Sequence, residues 1–157
     1  MARYLVVAHE SVSNPKLVEK LKEIAKQNDT AEFVLLVPAS PVRHLLLWKT
    51  DTATEQEAAE HRQAEGREAF TQAGINLGAT RIGAESPVDA IDQELRDNPG
   101  YTGLVISTLP KEHSRWLRLD LPQVVKQKHQ LPVHHVEATP NQLRAWLAGG
   151  IDDGVLK

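Results

Sequence analysis

Five strand-like runs, each separated from the next by a stretch of helical character, constrain this chain more than any other feature. Tyr4–Ala8 and Phe33–Val37 are short apolar runs rich in branched aliphatics, the second closed by Pro38. Ala79–Ala84 is more mixed and carries Gly83, which lowers its strand propensity. Thr102–Ser107, centred on Leu104-Val105-Ile106, and Leu131–Val136 complete the set. Helices are expected in between. Asn14-Pro15 reads as an N-cap followed by the first helical residue, and Leu17, Val18, Leu21, Ile24 and Ala25 recur at helical spacing behind it. Thr52-Ala53-Thr54-Glu55 matches a capping box opening a long polar helix that runs to about Ala73. Ser86-Pro87 repeats the cap-and-proline start, with Val88, Ile91 and Leu95 as its stripe and Asn98-Pro99-Gly100 as its break. Asp120-Leu121-Pro122 opens another helix, in which Val124 and Val125 are expected to face inward. Alternating strands and helices imply right-handed crossovers, hence one α/β domain with an open, mostly parallel five-stranded sheet flanked by helices on both faces. The domain is expected to span 1–137. Residues 138–157 form a tail with Leu143, Trp146 and Leu147 at helical spacing.

Composition narrows the function classes. Aromatic residues make up only 4% of the chain, so the core must be aliphatic, which suits parallel strands buried on both faces. A formal charge of -3 argues against a nucleic-acid binder, which needs a clustered basic excess. There is no cysteine, which excludes disulfides, thiolate metal sites and cysteine nucleophiles. The opening MARYLVVAHE lacks the form of a signal peptide, and no apolar stretch approaches the ~20 residues that span a bilayer. A cytoplasmic location with no membrane contact is the expectation.

Familiar site motifs are missing. Gly-x-Gly-x-x-Gly, the P-loop pattern and the Gly-x-Ser-x-Gly elbow do not occur. A receiver domain would need acidic residues at the carboxyl ends of the first and third strands to hold Mg²⁺ and accept phosphate, and those ends offer Glu10 and Glu85, without an aspartate acceptor. Glu57, His61 and Glu65 stand at helical spacing, a pattern that polar helices produce by chance, and no metal site is read from it. His134 and His135 are adjacent on a strand and must point to opposite faces. In open parallel sheets a ligand sits outside the carboxyl ends of strands where strand order reverses, which brings forward Ala8-His9-Glu10-Ser11.

The stretches Leu104-Val105-Ile106-Ser107-Thr108, Ser114-Arg115-Trp116-Leu117 and Leu131-Pro132-Val133 resemble the end of universal stress proteins, domains of the adenine-nucleotide α-hydrolase-like fold. That resemblance implies the strand order 3-2-1-4-5 and homodimers joined through the last strand, here with Val133 and Val136. It also implies a crevice between the first and fourth strands, bordered by His9, Ser107, Thr108, Lys111, His113, Ser114, Arg115 and Asp120. Nucleotide-binding members carry Gly-x-x-Gly followed further on by Gly-Ser or Gly-Thr, whose amides approach phosphate groups. This chain departs from that pattern. No glycine occurs between Gly103 and Gly149, and Leu119-Asp120 stands where Gly-Ser is expected. Asp120 is expected to cap the following helix with its carboxylate, occupying amides a phosphate would use. His9 stands at the family's usual acidic position.

The resemblance therefore implies a stress-protein-like, non-catalytic interaction or sensing module, homodimeric, with weak or no ATP binding and no obligatory cofactor. The alternative is a binder of an adenine nucleotide such as ATP or AMP, or of another small anionic ligand, in the same crevice. A third reading, a hydrolase acting on a phosphate-bearing substrate, would use His9 or His113 as acid–base.

Overall fold

The computed structural model describes residues 2–39, 53–111 and 114–138. The apolar run Leu45–Trp48, the capping-box residue Thr52, His113 and the tail stripe of Leu143, Trp146 and Leu147 lie outside the described residues. The elements follow in order as β1 (Arg3–Val7), α1 (Pro15–Gln27), β2 (Glu32–Pro38), α2 (Ala53–Gln72), β3 (Leu77–Gly83), α3 (Pro87–Asp97), β4 (Gly103–Thr108), α4 (Arg115–Arg118), α5 (Leu121–His129) and β5 (Val133–Glu137). All four strand pairings are parallel, and the sheet runs β3-β2-β1-β4-β5. The strand order is the one expected.

The chain first steps outward from β1 to β2 and β3, then returns across the sheet to β4 and β5. Right-handed crossovers in opposite directions must lie on opposite faces. Accordingly α1 and α2 cover one face, with Leu17, Leu21, Ile24, Ala59 and Phe70 packed on Val6, Phe33 and Leu35. The other face carries α3 and α5, with Ala90, Ile91, Leu121 and Val125 on Leu5, Val7, Leu36 and Ile106. Alternate residues of the central strands feed the two cores, so both β1 and β4 read as continuous apolar runs.

Local signals explain the helix starts. Asn14 accepts a hydrogen bond from the Lys16 amide at 3.1 Å, and Ser86 accepts one from Asp89 at 3.4 Å, each followed by proline at the first helical position. Two glycines set how closely helices approach the sheet. A Cβ on Gly66 of α2 would meet Leu35 and Val12 at 2.6 Å, and one on Gly83 of β3 would meet the Ala90 Cβ of α3 at 2.6 Å. The glycine that weakens β3 as a strand is thus the contact point for α3.

Beneath α3 lies a polar network that amphipathic patterning does not reveal. Glu94 is buried, and its Oε2 accepts from Arg81 Nε at 2.9 Å, Asn98 Nδ2 at 3.1 Å and the Tyr101 hydroxyl at 2.8 Å. Arg3 lies over the Tyr101 ring, 4.3 Å from its centroid. Burial, with the neighbouring Glu94 carboxylate, pushes the Tyr101 hydroxyl up to about 12, so it stays a donor. One inward expectation fails in α5: Val125 is buried but Val124 is 38% exposed, because the stripe facing the sheet is Leu121 and Val125, four residues apart.

Candidate functional site

The reversal of strand order falls between β1 and β4, and the chain there builds a crevice. After Val7 the backbone turns through His9–Ser13, with Val12 N donating to the His9 carbonyl at 3.2 Å and Asn14 N to the Ser11 carbonyl at 3.0 Å. This turn brings the Ser11 hydroxyl to 2.7 Å from that of Ser107 at the end of β4. Ser107 Oγ also donates to the Ser11 carbonyl at 3.2 Å. A hydroxyl has one hydrogen, so with Ser107 donating to the carbonyl, Ser11 donates to Ser107. The pair ties the β1 turn to β4.

Thr108 is the next residue and points to the other face of the sheet, where its Oγ1 lies 2.8 Å from His135 Nε2 on β5. Burial lowers the pKa of His135 below 6.5, with Glu137 pulling the other way. His134 goes to the α1 face, its ring tilted against Tyr4 at 6.3 Å, and burial lowers its pKa too. The expected opposite orientation of the two histidines is observed.

Together these elements enclose a cavity of about 270 Å³. Its lining comes from the β1 turn (His9, Glu10, Ser11), the start of α3 (Glu85, Ser86, Pro87), the end of β4 (Ser107, Thr108, Leu109) and α4 with its flanks (Ser114, Arg115, Trp116, Leu119). Ser114 is buried and caps α4, accepting from the Leu117 amide at 3.1 Å. Arg115 is exposed at the rim, and Leu119 is 62% exposed beside it. Hydroxyls, one guanidinium, an indole and two carboxylates therefore meet in one small space, a mixture suited to orienting a polar ligand with an apolar body.

Of the residues the sequence brings forward, His9, Ser107, Thr108, Ser114 and Arg115 are placed together in this lining. Lys111 and Asp120 lie outside the lining, and His113 is outside the described residues. His9 is buried, and its Nε2 has no hydrogen-bond partner among the described residues. Burial first, then the Arg62 guanidinium, lowers its pKa from 6.5 to about 4, against a smaller opposing pull from Glu65. Glu65 itself accepts from Ser13 and pairs with Arg62 at 3.0 Å.

Asp120 requires a correction. It precedes α5 as expected, yet its side chain makes no capping hydrogen bond. Its backbone is left-handed (φ 55°, ψ 43°), whereas a capping side chain needs an extended backbone to reach the second or third amide. The carboxylate therefore does not occupy the helix amides, although Pro122 removes one of them. The α3 start and Trp116 also line the cavity, beyond the residues that the sequence brings forward. Their signal was the Glu85-Ser86-Pro87 run at the carboxyl end of β3, which becomes informative only once α3 is known to fold back toward β4.

No protein-family model matches the sequence, and no curated protein sequence does. Solved structures do match. A universal stress protein family protein from Arabidopsis thaliana, with AMP bound, is 13% identical and superposes with a TM-score of 0.61 over 90% of this chain and 95% of that one. A universal stress protein in complex with cAMP is 18% identical, with a TM-score of 0.61 over 88% of this chain and 98% of the other. A protein of the same family from Burkholderia pseudomallei is 13% identical, with a TM-score of 0.57 over 86% and 95% of the two chains. Sheet order and coverage of most of both chains together show that this chain has the fold of the universal stress proteins.

Proposed function

We propose that this domain is a non-catalytic binding and sensing module that holds a nucleoside monophosphate, or a ligand of similar size and charge, in the crevice between β1 and β4. The observation that carries the reading is the convergence of Ser11, Ser107, Thr108, Ser114 and Arg115 around one cavity at the strand-order reversal. Its volume of about 270 Å³ is near the lower end of the ~300–1,000 Å³ typical of small-molecule pockets, which favours a compact ligand. Similarity to structures described with AMP or cAMP bound supports an adenine nucleotide as the ligand to try first. Trp116 offers an apolar surface for a base and Arg115 a fork for a phosphate.

Catalysis is not part of this reading. His9, the acid–base candidate in the lining, is buried and has a pKa near 4, far from a value suited to proton transfer at neutral pH. ATP is expected to bind weakly or not at all, since the loop after β4 has no glycine and Pro110 lacks an N–H. A homodimer fits the exposed outer edge of β5, which has no strand partner among the described residues.

Calorimetric titration with AMP, cAMP and ATP tests the reading directly. Saturable binding of AMP that weakens about tenfold when Arg115 is replaced by alanine supports it. The absence of binding by any of the three at millimolar concentration overturns it. Sedimentation equilibrium decides the dimer separately.

A further inference from the structure

Backbone N–H groups of loops and helix starts at the carboxyl ends of parallel strands are the usual donors to ligand phosphates. Along the described part of the β4 wall, several positions cannot offer one. Pro110 and Pro122 have none. The Leu117 amide of α4 goes to Ser114 Oγ. The Lys111 amide donates to Glu137 Oε2 at 2.8 Å. That last contact is of a different kind from the others, because it sets a carboxylate on a loop amide.

Glu137 ends β5, and two more contacts hold this end against the loop leaving β4. The Ala138 amide donates to the Thr108 carbonyl at 3.0 Å, and His135 Nε2 lies 2.8 Å from Thr108 Oγ1. The carboxylate is therefore positioned by the strand that carries it. Leu109, two residues before Lys111, lines the cavity, and the Glu137 contact lies further along the same loop, outside the lining. A carboxylate oxygen on a backbone N–H satisfies the donor as a phosphate oxygen would, and it repels any further anion brought to the same place. Glu10 and Glu85 in the lining add charge of the same sign.

We propose that Glu137 is a specificity residue: seated on the Lys111 amide as an internal anion, it excludes ligands with more than one phosphate, so that the crevice takes a nucleoside monophosphate and rejects the di- and triphosphate. This rests on the ligand-binding reading above, and it adds to it the residue that sets phosphate number.

The test is calorimetric titration of the full chain with AMP, ADP and ATP at fixed ionic strength, for the wild type, Glu137→Gln and Glu137→Ala. Gln removes the charge while leaving an acceptor for the amide, and Ala frees the amide as well. Both variants should keep AMP affinity within about twofold and tighten ATP binding, Ala by about tenfold, the size of one charge-assisted hydrogen bond. Wild type that binds AMP and ATP equally well overturns the proposal. So does an ATP-to-AMP affinity ratio unchanged in both variants, while AMP binding itself leaves the site reading standing. If no variant binds any nucleotide, both readings fall together. Glu137 is exposed, and an unchanged circular dichroism spectrum verifies the fold of each variant.

Discussion

Ser11 and Ser107, 96 residues apart in sequence, share a buried hydrogen bond of 2.7 Å that joins the turn after β1 to the end of β4. The tie closes the back of the crevice at the place where the chain reverses its path across the sheet. Replacing Ser107 with alanine leaves the Ser11 hydroxyl without its partner and the Ser11 carbonyl with the Asn14 amide as its remaining donor, at a cost of about 1–3 kcal/mol in unfolding free energy. The Ser11→Ala/Ser107→Ala double variant should lose less than the sum of the single losses by about 1 kcal/mol in urea denaturation. Strict additivity would mean that the two hydroxyls do not cooperate.

Gly83 faces Ala90 of α3, where an added Cβ would come within 2.6 Å of the Ala90 Cβ and 3.4 Å of its Cα. The obstruction is next to the backbone and cannot rotate away. Gly83→Ala is therefore expected to destabilise by about 1–3 kcal/mol, although alanine is ordinarily no worse than glycine in a strand. Chemical denaturation reads this directly, and a neutral or stabilising result would show that α3 can shift.

His9 makes folding sensitive to acid. Its pKa falls from 6.5 to about 4 on folding, so between those values the unfolded chain binds more protons than the folded one. The stability from the neutral imidazole is fully present above pH 6.5 and is lost as the pH falls toward 4. A shift of that size corresponds to about 3 kcal/mol. The pKa values of His134 and His135 are lowered in the same sense, so the wild type alone does not isolate the effect. Comparing unfolding free energies of the wild type and His9→Gln at pH 7 and pH 4.5 does. The variant should show a distinctly smaller difference between the two pH values, and equal differences would remove His9 as the cause.

Arg115 lines the crevice and Lys111 does not, although both are exposed cations on the same stretch of chain. Arg115→Ala should weaken AMP binding about tenfold, as expected for a lost charged contact, whereas Lys111→Ala should change it by less than twofold. Equal losses would indicate a diffuse electrostatic contribution and no specific contact. Raising the salt concentration would then weaken the two contributions alike.

Much of this fold could be read in the residues. Apolar runs marked the strands, and Asn14-Pro15 and Ser86-Pro87 marked two helix starts that the capping bonds confirm. The strand order came from family likeness, since alternation alone does not distinguish one doubly wound order from another. The site was less legible. His9, Ser107, Thr108, Ser114 and Arg115 do line one cavity, because each follows or precedes an element whose end could be located in sequence. Asp120 misleads because its residue type favours an N-cap while the backbone there is left-handed, and composition carries no record of φ. Glu94 is not legible in the sequence, because a carboxylate in a helical stripe looks solvent-facing until the Arg81, Asn98 and Tyr101 donors around it are known. Ser86, Pro87 and Trp116 required the tertiary course of α3 and α4.

The crevice takes its lining from four short stretches, 9–11, 85–87, 107–109 and 114–116, together with Leu119, while the two aliphatic cores draw mainly on the strands and the helix stripes. Recognition and structural integrity are therefore largely held by separate sets of positions. A chain organised this way can exchange rim side chains and acquire a new preference with little penalty to its scaffold. That separation offers a physical route by which a common framework tolerates sequences as dissimilar as those compared above.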